Sequence, residues 1–135
     1  MLLAALLGGF IGLEREYKKK EAGLRTYSLV ALGACFFVIV AFESFNVFKN
    51  EAAVDFDPTR IIGQIAVGIG FLGAGLIIFR GFHVEGLTTA AGLWVTAAVG
   101  VAVGAKLYLP SVFVALLAVI VLAGLRFAEE KFFRK

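Results

Sequence analysis

Five long apolar runs, separated by short polar segments, follow one another along the chain. They cover residues 1–13, 27–45, 61–79, 87–105 and 111–125. The third run has about 19 residues without a charge, which is long enough for a helix to cross the hydrocarbon core of a bilayer. The first run would rise only about 20 Å against a core of about 30 Å, so this helix is truncated, tilted or continued upstream. The pattern predicts an all-α polytopic membrane bundle of five helices.

The composition agrees with a membrane protein. Hydrophobic residues make up 61% of the chain and charged residues 17%, and the mean hydropathy is +0.95. A soluble domain of this size could not cover so much apolar surface. We expect one transmembrane domain over residues 1–135 and no soluble C-terminal domain. The pI near 9.2 does not indicate a nucleic-acid partner, because the basic residues lie at helix ends.

The distribution of Lys and Arg predicts the orientation. Ten of the 13 basic residues lie in the segment after the first run, at Arg80 and in the C-terminal tail, which all fall on one side of the membrane. The other side holds Lys49, Arg60 and Lys106. The positive-inside rule then places the N-terminus outside and the C-terminus in the cytoplasm of a bacterial inner membrane.

The third run contains GIGFLGAG at residues 68–75, the G-x-G-x-x-G spacing of a dinucleotide-binding turn. That motif needs a preceding strand and a helix that opens on the third glycine, and an apolar transmembrane run offers neither. Small residues instead allow helices to pack closely in lipid. In the third run they occupy two helix faces, which predicts a central helix, and in the fourth they recur every four residues as Thr88, Gly92, Thr96, Gly100 and Gly104. The alternative is a third helix that unwinds between Gly68 and Gly75 and binds an ion through its carbonyls.

Asp57 and Pro58 precede the third run, and their role has two interpretations. Aspartate is a preferred N-cap and proline a preferred first helical residue, so the favoured prediction is a cap with Arg60 as a charge partner. The alternative is a hard-cation site in which Asp57 joins Glu43 or Asp55.

Polar residues at the basic end of the bundle are expected to tie helices together. We predict at least one ion pair between different helices, most plausibly Glu14 or Glu16 with Arg25 or Arg80. Trp94 falls near the middle of the fourth run, where its N–H would need a partner inside the bundle. Thr88, Thr89 and Gln64 are the candidates for that partner.

Four segments together resemble the MgtC/SapB family of bacterial membrane proteins. They are GGFIGLERE at 8–16, KEAGLRTYSLVALGA at 20–34, DPTRIIGQIAVGIGFLGAGLII at 57–78 and GLTTAAGLWVTAAVGVAVG at 86–104. They occur in the family's order through nearly all of the chain to residue 104. Carried over by position, the motif residues are Glu14, Arg15, Glu16, Arg25, Thr26, Asp57, Arg60, Gln64, Gly68, Gly70, Gly73, Gly75, Gly86, Thr88, Thr89 and Trp94. Two departures are Thr88, where some relatives have asparagine, and Tyr27, which replaces a frequent histidine.

The resemblance implies a protein associated with growth at low magnesium and with survival inside host cells. It favours a regulator of other inner-membrane proteins, including the rotary ATP synthase, and a homo-oligomer stays open. A transporter or channel for magnesium or another small solute is the alternative. An enzyme is not expected, because the sequence offers no nucleophile with a base and no metal-ligand cluster. No cofactor is expected, although magnesium stays open as a ligand.

Overall fold

The computed structural model describes residues 1–49, 57 and 59–125. The chain forms α1 (Leu2–Tyr17), α2 (Leu24–Phe48), α3 (Thr59–Leu76), β1 (Ile78–Arg80), β2 (His83–Glu85), α4 (Leu87–Gly104) and α5 (Tyr108–Ile120). A π-helical turn over Val121–Leu125 extends α5. The predicted helical membrane bundle is confirmed, with a short hairpin that the apolar pattern does not predict.

In the part of the chain that the structure describes, four helices are long and apolar enough to cross a membrane. They are α2, α3, α4 and α5 together with its π turn. α1 has 16 residues and would rise about 24 Å, so it is shorter than a typical span. It packs against α2, α4 and α5, while Leu2 and Tyr17 at its two ends are exposed.

α4 is the central helix of the bundle. It contacts α1, α2, α3 and α5, and half of its residues are buried. α3 has its main contacts with α4 and α2, and its buried residues are Ile69 and Gly73. The prediction that the third helix occupies the centre is therefore wrong.

Glycines on α4 allow neighbouring helices to pack closely against it. A Cβ built on Gly100 would lie 2.3 Å from the Ala31 carbonyl oxygen, and one on Gly104 would lie 2.7 Å from that of Cys35. Only a residue without a side chain permits such backbone contact, the device that associates helices in lipid. The predicted packing role of the small residues in α4 is confirmed for Gly92, Thr96, Gly100 and Gly104, which are buried, whereas Thr88 is exposed.

The glycines of α3 behave differently from those of α4. Gly73 packs near Ala90, with 3.5 Å between a built Cβ and the Ala90 Cβ. A Cβ built on the other four would meet nothing within 4 Å in the described chain, namely at Gly63, Gly68, Gly70 and Gly75. The predicted packing role of these four is wrong within one chain. The helix also continues unbroken from Thr59 to Leu76, so the unwound ion site at Gly68–Gly75 is contradicted.

The third helix ends at Leu76 instead of Phe79 because the next residues form an antiparallel hairpin. Phe79 pairs with Val84 and Arg80 with His83 across a two-residue loop. Gly81 begins that loop at φ 63°, a conformation that glycine adopts without cost. The hairpin leads into Gly86, whose φ of 87° turns the chain into α4.

Candidate functional site

A buried charged pair lies at the basic end of the bundle, on the last turn of α1. Arg15 is 2% exposed, and its Nε donates a hydrogen bond to Glu14 Oε2. The second carboxylate oxygen, Glu14 Oε1, is buried and has no hydrogen-bond partner among the described residues. Buried charges are costly unless paired, so these two residues need each other to stay in place.

Tyr27 connects the three helices that surround this pair. Tyr27 is fully buried; Gly92 of α4 leaves space for its ring and hydroxyl, and Gly8 and Gly12 of α1 allow close contact with its backbone carbonyl and its Cβ. Its hydroxyl donates a 3.1 Å hydrogen bond to the Thr89 carbonyl oxygen. A buried tyrosine hydroxyl normally finds such a partner, and here the bond fixes α2 against the first turn of α4.

Thr89 continues the polar layer to the loop between α1 and α2. Its hydroxyl donates to Glu21 Oε2 at 3.0 Å. The pKa of the Glu21 carboxyl is lowered from its ordinary value, first by a backbone hydrogen bond at Glu21 and then by the Thr89 hydroxyl. The loop carboxylate is therefore held in its charged form beside the start of α4.

Glu16 has a structural contact of its own. Its Oε2 accepts a 3.1 Å hydrogen bond from the Leu24 backbone N–H, at the first residue of α2. The first N–H groups of a helix lack intrahelical acceptors, so this carboxylate caps α2 from the end of α1. The connection is between helices, but it is a cap and not an ion pair.

The predicted ion pairs between helices are wrong for the described residues. The two ion pairs recorded there are Arg15 with its neighbour Glu14, and Arg80 with Glu85 at 3.3 Å within the hairpin. Arg25 and Thr26 are exposed at the start of α2. The reason is local, because α1 turns its Arg15 side chain inwards and the hairpin offers Arg80 a nearer carboxylate.

The structure confirms the capping role of Asp57. Its Oδ1 accepts hydrogen bonds from the Thr59 backbone N–H at 2.8 Å and from the Thr59 hydroxyl at 2.7 Å. The same hydroxyl and N–H lower the pKa of Asp57. Glu43 is exposed on α2, and Asp55 lies outside the described residues. No group of three metal-ligating side chains forms among the described residues.

Two motif residues point away from the bundle. Trp94 is 54% exposed on the outer side of α4, so the expectation of an indole buried inside the bundle is wrong. Gln64 is exposed on α3 and makes no hydrogen bond to a described residue. Neither pairs with the other, nor with Thr88 or Thr89.

The described residues form a polar cleft and an apolar groove, each of which contains motif residues. A cleft of about 850 Å³ opens at the basic end and is lined by Arg15, Lys19, Lys20, Glu21, Val84, Glu85, Gly86, Leu87, Thr88, Thr89, Val121, Leu122 and Leu125. A lateral groove of about 770 Å³ runs between α2 and α3 and is lined by Thr26, Leu29, Val30, Gly33, Ala34, Phe37, Ile61, Gln64, Ile65, Gly68, Ile69, Leu72 and Ala97. Among the motif residues, the polar cleft brings together Arg15, Gly86, Thr88 and Thr89, the apolar groove brings together Thr26, Gln64 and Gly68, and the other nine line neither surface.

Sequence reasoning missed Tyr27 and Glu21 as parts of the polar layer. Tyr27 had one signal, its place in a motif segment where a histidine is frequent. Gly92 on α4 is the second signal, since a glycine opposite the ring leaves space for it. Glu21 has no such signal, because its role depends on where the loop folds back.

Comparison with known proteins decides the family. The model of the MgtC family matches residues 1–131. The chain belongs to the MgtC family. Three relatives illustrate the likeness. "Protein MgtC" of Brucella abortus strain 2308 is 53% identical over 104 residues, which is 77% of this chain and 40% of that protein. "Putative magnesium transporter YhiD" of Escherichia coli K12 is 44% identical over 108 residues, 80% of this chain and 50% of that protein.

A third relative matches a longer part of this MgtC-family chain. "Uncharacterized protein slr0014" of Synechocystis is 43% identical over 126 residues, 93% of this chain and 50% of the relative. The chain therefore spans half or less of the length of these curated relatives. No solved structure matches. The family and the apolar helices together show that this is a membrane protein.

Proposed function

We propose that this MgtC-family chain regulates other membrane proteins by docking onto their transmembrane helices through the open face of α3 and the groove beside it. The observation that carries the proposal is a set of four glycines on α3 that meet no other element among the described residues. Gly63, Gly68, Gly70 and Gly75 have no neighbour within 4 Å of a built Cβ.

Small residues on a lipid-facing surface favour a helix partner over lipid. In a bilayer, helices gain little from hiding apolar area, so their association depends on close backbone packing. The groove places Gly33 of α2 opposite Gly68 of α3, and neither has a neighbour within 4 Å of a built Cβ. A groove with glycine on both walls allows another helix to approach closely.

Gln64 adds a polar side chain to the same surface, which favours a partner that can form a hydrogen bond with it. It lines the groove, is exposed, and makes no hydrogen bond to a described residue. An amide in hydrocarbon without a hydrogen-bond partner costs several kcal/mol, of the order of 2–7. An acyl chain cannot supply that partner, whereas a helix with a polar side chain or a free carbonyl can. The family resemblance adds the rotary ATP synthase as the first partner to test, and a second copy of this chain as another.

The proposed orientation places the hairpin and the polar cleft in the cytoplasm of a bacterial inner membrane. Its support is the excess of Lys and Arg at that end of the bundle. In this arrangement Asp57 caps α3 on the outer side, and the groove lies within the membrane. The proposed role includes no chemical reaction and no solute transport.

Site-specific photo-crosslinking in native membranes tests the docking surface. A photoreactive residue at Gly68 lies in the groove, and one at Leu109 on α5 is a control on a fully open, lipid-facing position. We expect protein crosslinks at position 68 and lipid crosslinks alone at position 109. Lipid crosslinks alone at both positions would remove the basis of the proposal. Gly68→Leu should abolish rescue of growth at low magnesium while the amount of protein in the membrane stays unchanged.

Magnesium transport is the second candidate function, and one observation favours it. Glu14 keeps a buried carboxylate oxygen without a partner, which is a ligand type that magnesium uses. One relative also carries the printed name of a putative magnesium transporter. Glu14→Gln separates the two functions, because it removes the ligand charge but leaves the α3 surface unchanged.

A further inference from the structure

The polar cleft at the basic end is not used by the docking function and has features of an anion site. It lies between the end of α1, the strand β2, the first turn of α4 and the π-helical turn after α5. Its cationic wall contains Arg15, Lys19 and Lys20. Lys19 and Lys20 form no ion pair with a described carboxylate.

Arg15 is the central element of the cationic wall. Its side chain is almost wholly buried, yet it lines the cleft. The hydrogen bond that it makes within the described residues uses Nε, and none is recorded for its two terminal nitrogens. The terminal nitrogens of a guanidinium can bind two oxygens of one anion. Glu14 compensates the charge of Arg15 through Nε, which leaves the terminal nitrogens as the donors for a ligand.

The first turn of α4 supplies further donors to the same space. Its N-cap, Gly86, has no side chain with which to bond the free N–H groups of the first turn. Gly86, Leu87, Thr88 and Thr89 all line the cleft. The N-terminal end of a long helix carries a partial positive charge and unpaired N–H donors, which favour anions and phosphate in particular.

Two carboxylates share the cleft and are already engaged. Glu85 pairs with Arg80 at 3.3 Å, and Glu21 accepts the hydrogen bond from the Thr89 hydroxyl at 3.0 Å. Glu21 shows that an anionic oxygen is accommodated beside the first turn of α4. Two lysines and the terminal nitrogens of Arg15 remain for a ligand.

The opposite wall of the cleft is apolar, and this limits the class of ligand that the cleft can bind. It consists of Val121, Leu122 and Leu125 on the π turn, with Val84 and Leu87. We propose that the cleft binds a phosphate group, carried either by a membrane lipid or by a soluble phosphate. A lipid headgroup would use both walls, with its phosphate on Arg15 and α4 and its glycerol against the π turn. A soluble phosphate would use the cationic wall alone.

Calorimetric titration of the full chain in uncharged detergent tests this site. The probes are short-chain phosphatidylglycerol, inorganic phosphate and short-chain diacylglycerol, which lacks the phosphate. We expect one phosphate-bearing probe to bind at one molecule per chain and diacylglycerol not to bind. Phosphatidylglycerol alone identifies a lipid headgroup, and equal binding of inorganic phosphate identifies a soluble source. Absence of binding by both phosphate probes would overturn the proposal.

A matched pair of lysine variants decides whether binding occurs in the cleft. Lys19 and Lys106 are both exposed and both have a left-handed backbone, with φ of 52° and 64°, but Lys106 follows α4 at the other end of the bundle. Lys19→Gln combined with Lys20→Gln should weaken binding roughly tenfold, from two exposed charge contacts. Lys49→Gln combined with Lys106→Gln removes the same charge at the other end of the bundle and should leave affinity unchanged. Equal weakening by both changes would show a diffuse charge effect and refute the site. We prefer these surface variants to Arg15→Gln, because Arg15 is buried and its ion pair also stabilises the fold.

Discussion

At the scale of single residues, close packing at the basic end of the bundle depends on glycines, which have no side chain. The Tyr27 ring fits because Gly92 has no side chain, and the hydroxyl reaches the Thr89 carbonyl. Gly8 and Gly12 let α1 approach the Tyr27 backbone and Cβ. The same logic applies to Gly86, where a Cβ would lie 1.9 Å from the Leu76 carbonyl oxygen. These residues act through the backbone contacts that they permit.

Gly86→Ala should destabilise the fold strongly. The position has φ of 87°, which alanine adopts only with strain, and the added Cβ would clash with Leu76. We expect a loss of roughly 2 kcal/mol or more in the free energy of unfolding, measured in detergent. Gly70→Ala is the matched control in an open helical position. It should be neutral or stabilising by up to about 1 kcal/mol, and an equal loss at both positions would contradict the account.

The cap at Asp57 predicts a pH dependence of thermal stability. Because the folded protein lowers the pKa of this carboxyl, the cap contributes fully above the ordinary pKa of aspartate, about 4. That contribution is lost as the pH falls through the lowered pKa. Asp57→Asn can still accept the Thr59 hydrogen bonds, so it should keep the fold and lose this component of the pH dependence. Melting curves from pH 7 to pH 3 that coincide in shape for both proteins would speak against the cap.

At the scale of elements, the helices could be predicted and their arrangement could not. Apolar length fixes each span to within a few residues, and the four-residue spacing of Gly92, Thr96, Gly100 and Gly104 marks the packed face of α4. α3 is also rich in glycine, but only Gly73 packs against another helix, and the other four face open space among the described residues. Spacing identifies a surface suited to packing, but it does not say whether the partner belongs to the same chain.

The polar contacts show the same limit: contacts between residues close in sequence could be predicted, and contacts between distant residues could not. The cap at Asp57 follows from local sequence alone, because its partners lie two residues away. The contact between Thr89 and Glu21 joins residues 68 positions apart and depends on how the loop after α1 folds over α4. The ion-pair prediction failed because it assumed pairing between helices where adjacent residues pair.

Substitution at the α2–α4 interface should separate packed glycines from open ones. Gly100→Ala places a Cβ 2.3 Å from the Ala31 carbonyl oxygen, so the helices must move apart. We expect a loss of about 1–3 kcal/mol in the free energy of unfolding, as for overpacked cores. Gly33→Ala meets nothing within 4 Å and should be close to wild type. Thermal unfolding of both variants in the same detergent gives the comparison.

At the scale of the whole molecule, the bundle has one basic end and one end with few charges. Cysteine labelling can determine which end faces the cytoplasm, because the native Cys35 is buried. Phe82→Cys in the hairpin is fully exposed at the basic end, and Lys106→Cys lies at the other. A membrane-impermeant maleimide should label position 106 in spheroplasts and position 82 only after permeabilisation. The opposite pattern would reverse the orientation.

Magnesium flux into liposomes tests the central claim most directly, namely that this chain docks onto other membrane proteins and does not carry ions. The purified chain is reconstituted at known density, and entry of magnesium is followed with a trapped fluorescent indicator. The account predicts entry equal to that of empty liposomes, for the native chain and for Glu14→Gln alike. Saturable entry that exceeds the empty-liposome rate and is lost in Glu14→Gln would contradict it and establish the chain as a transporter.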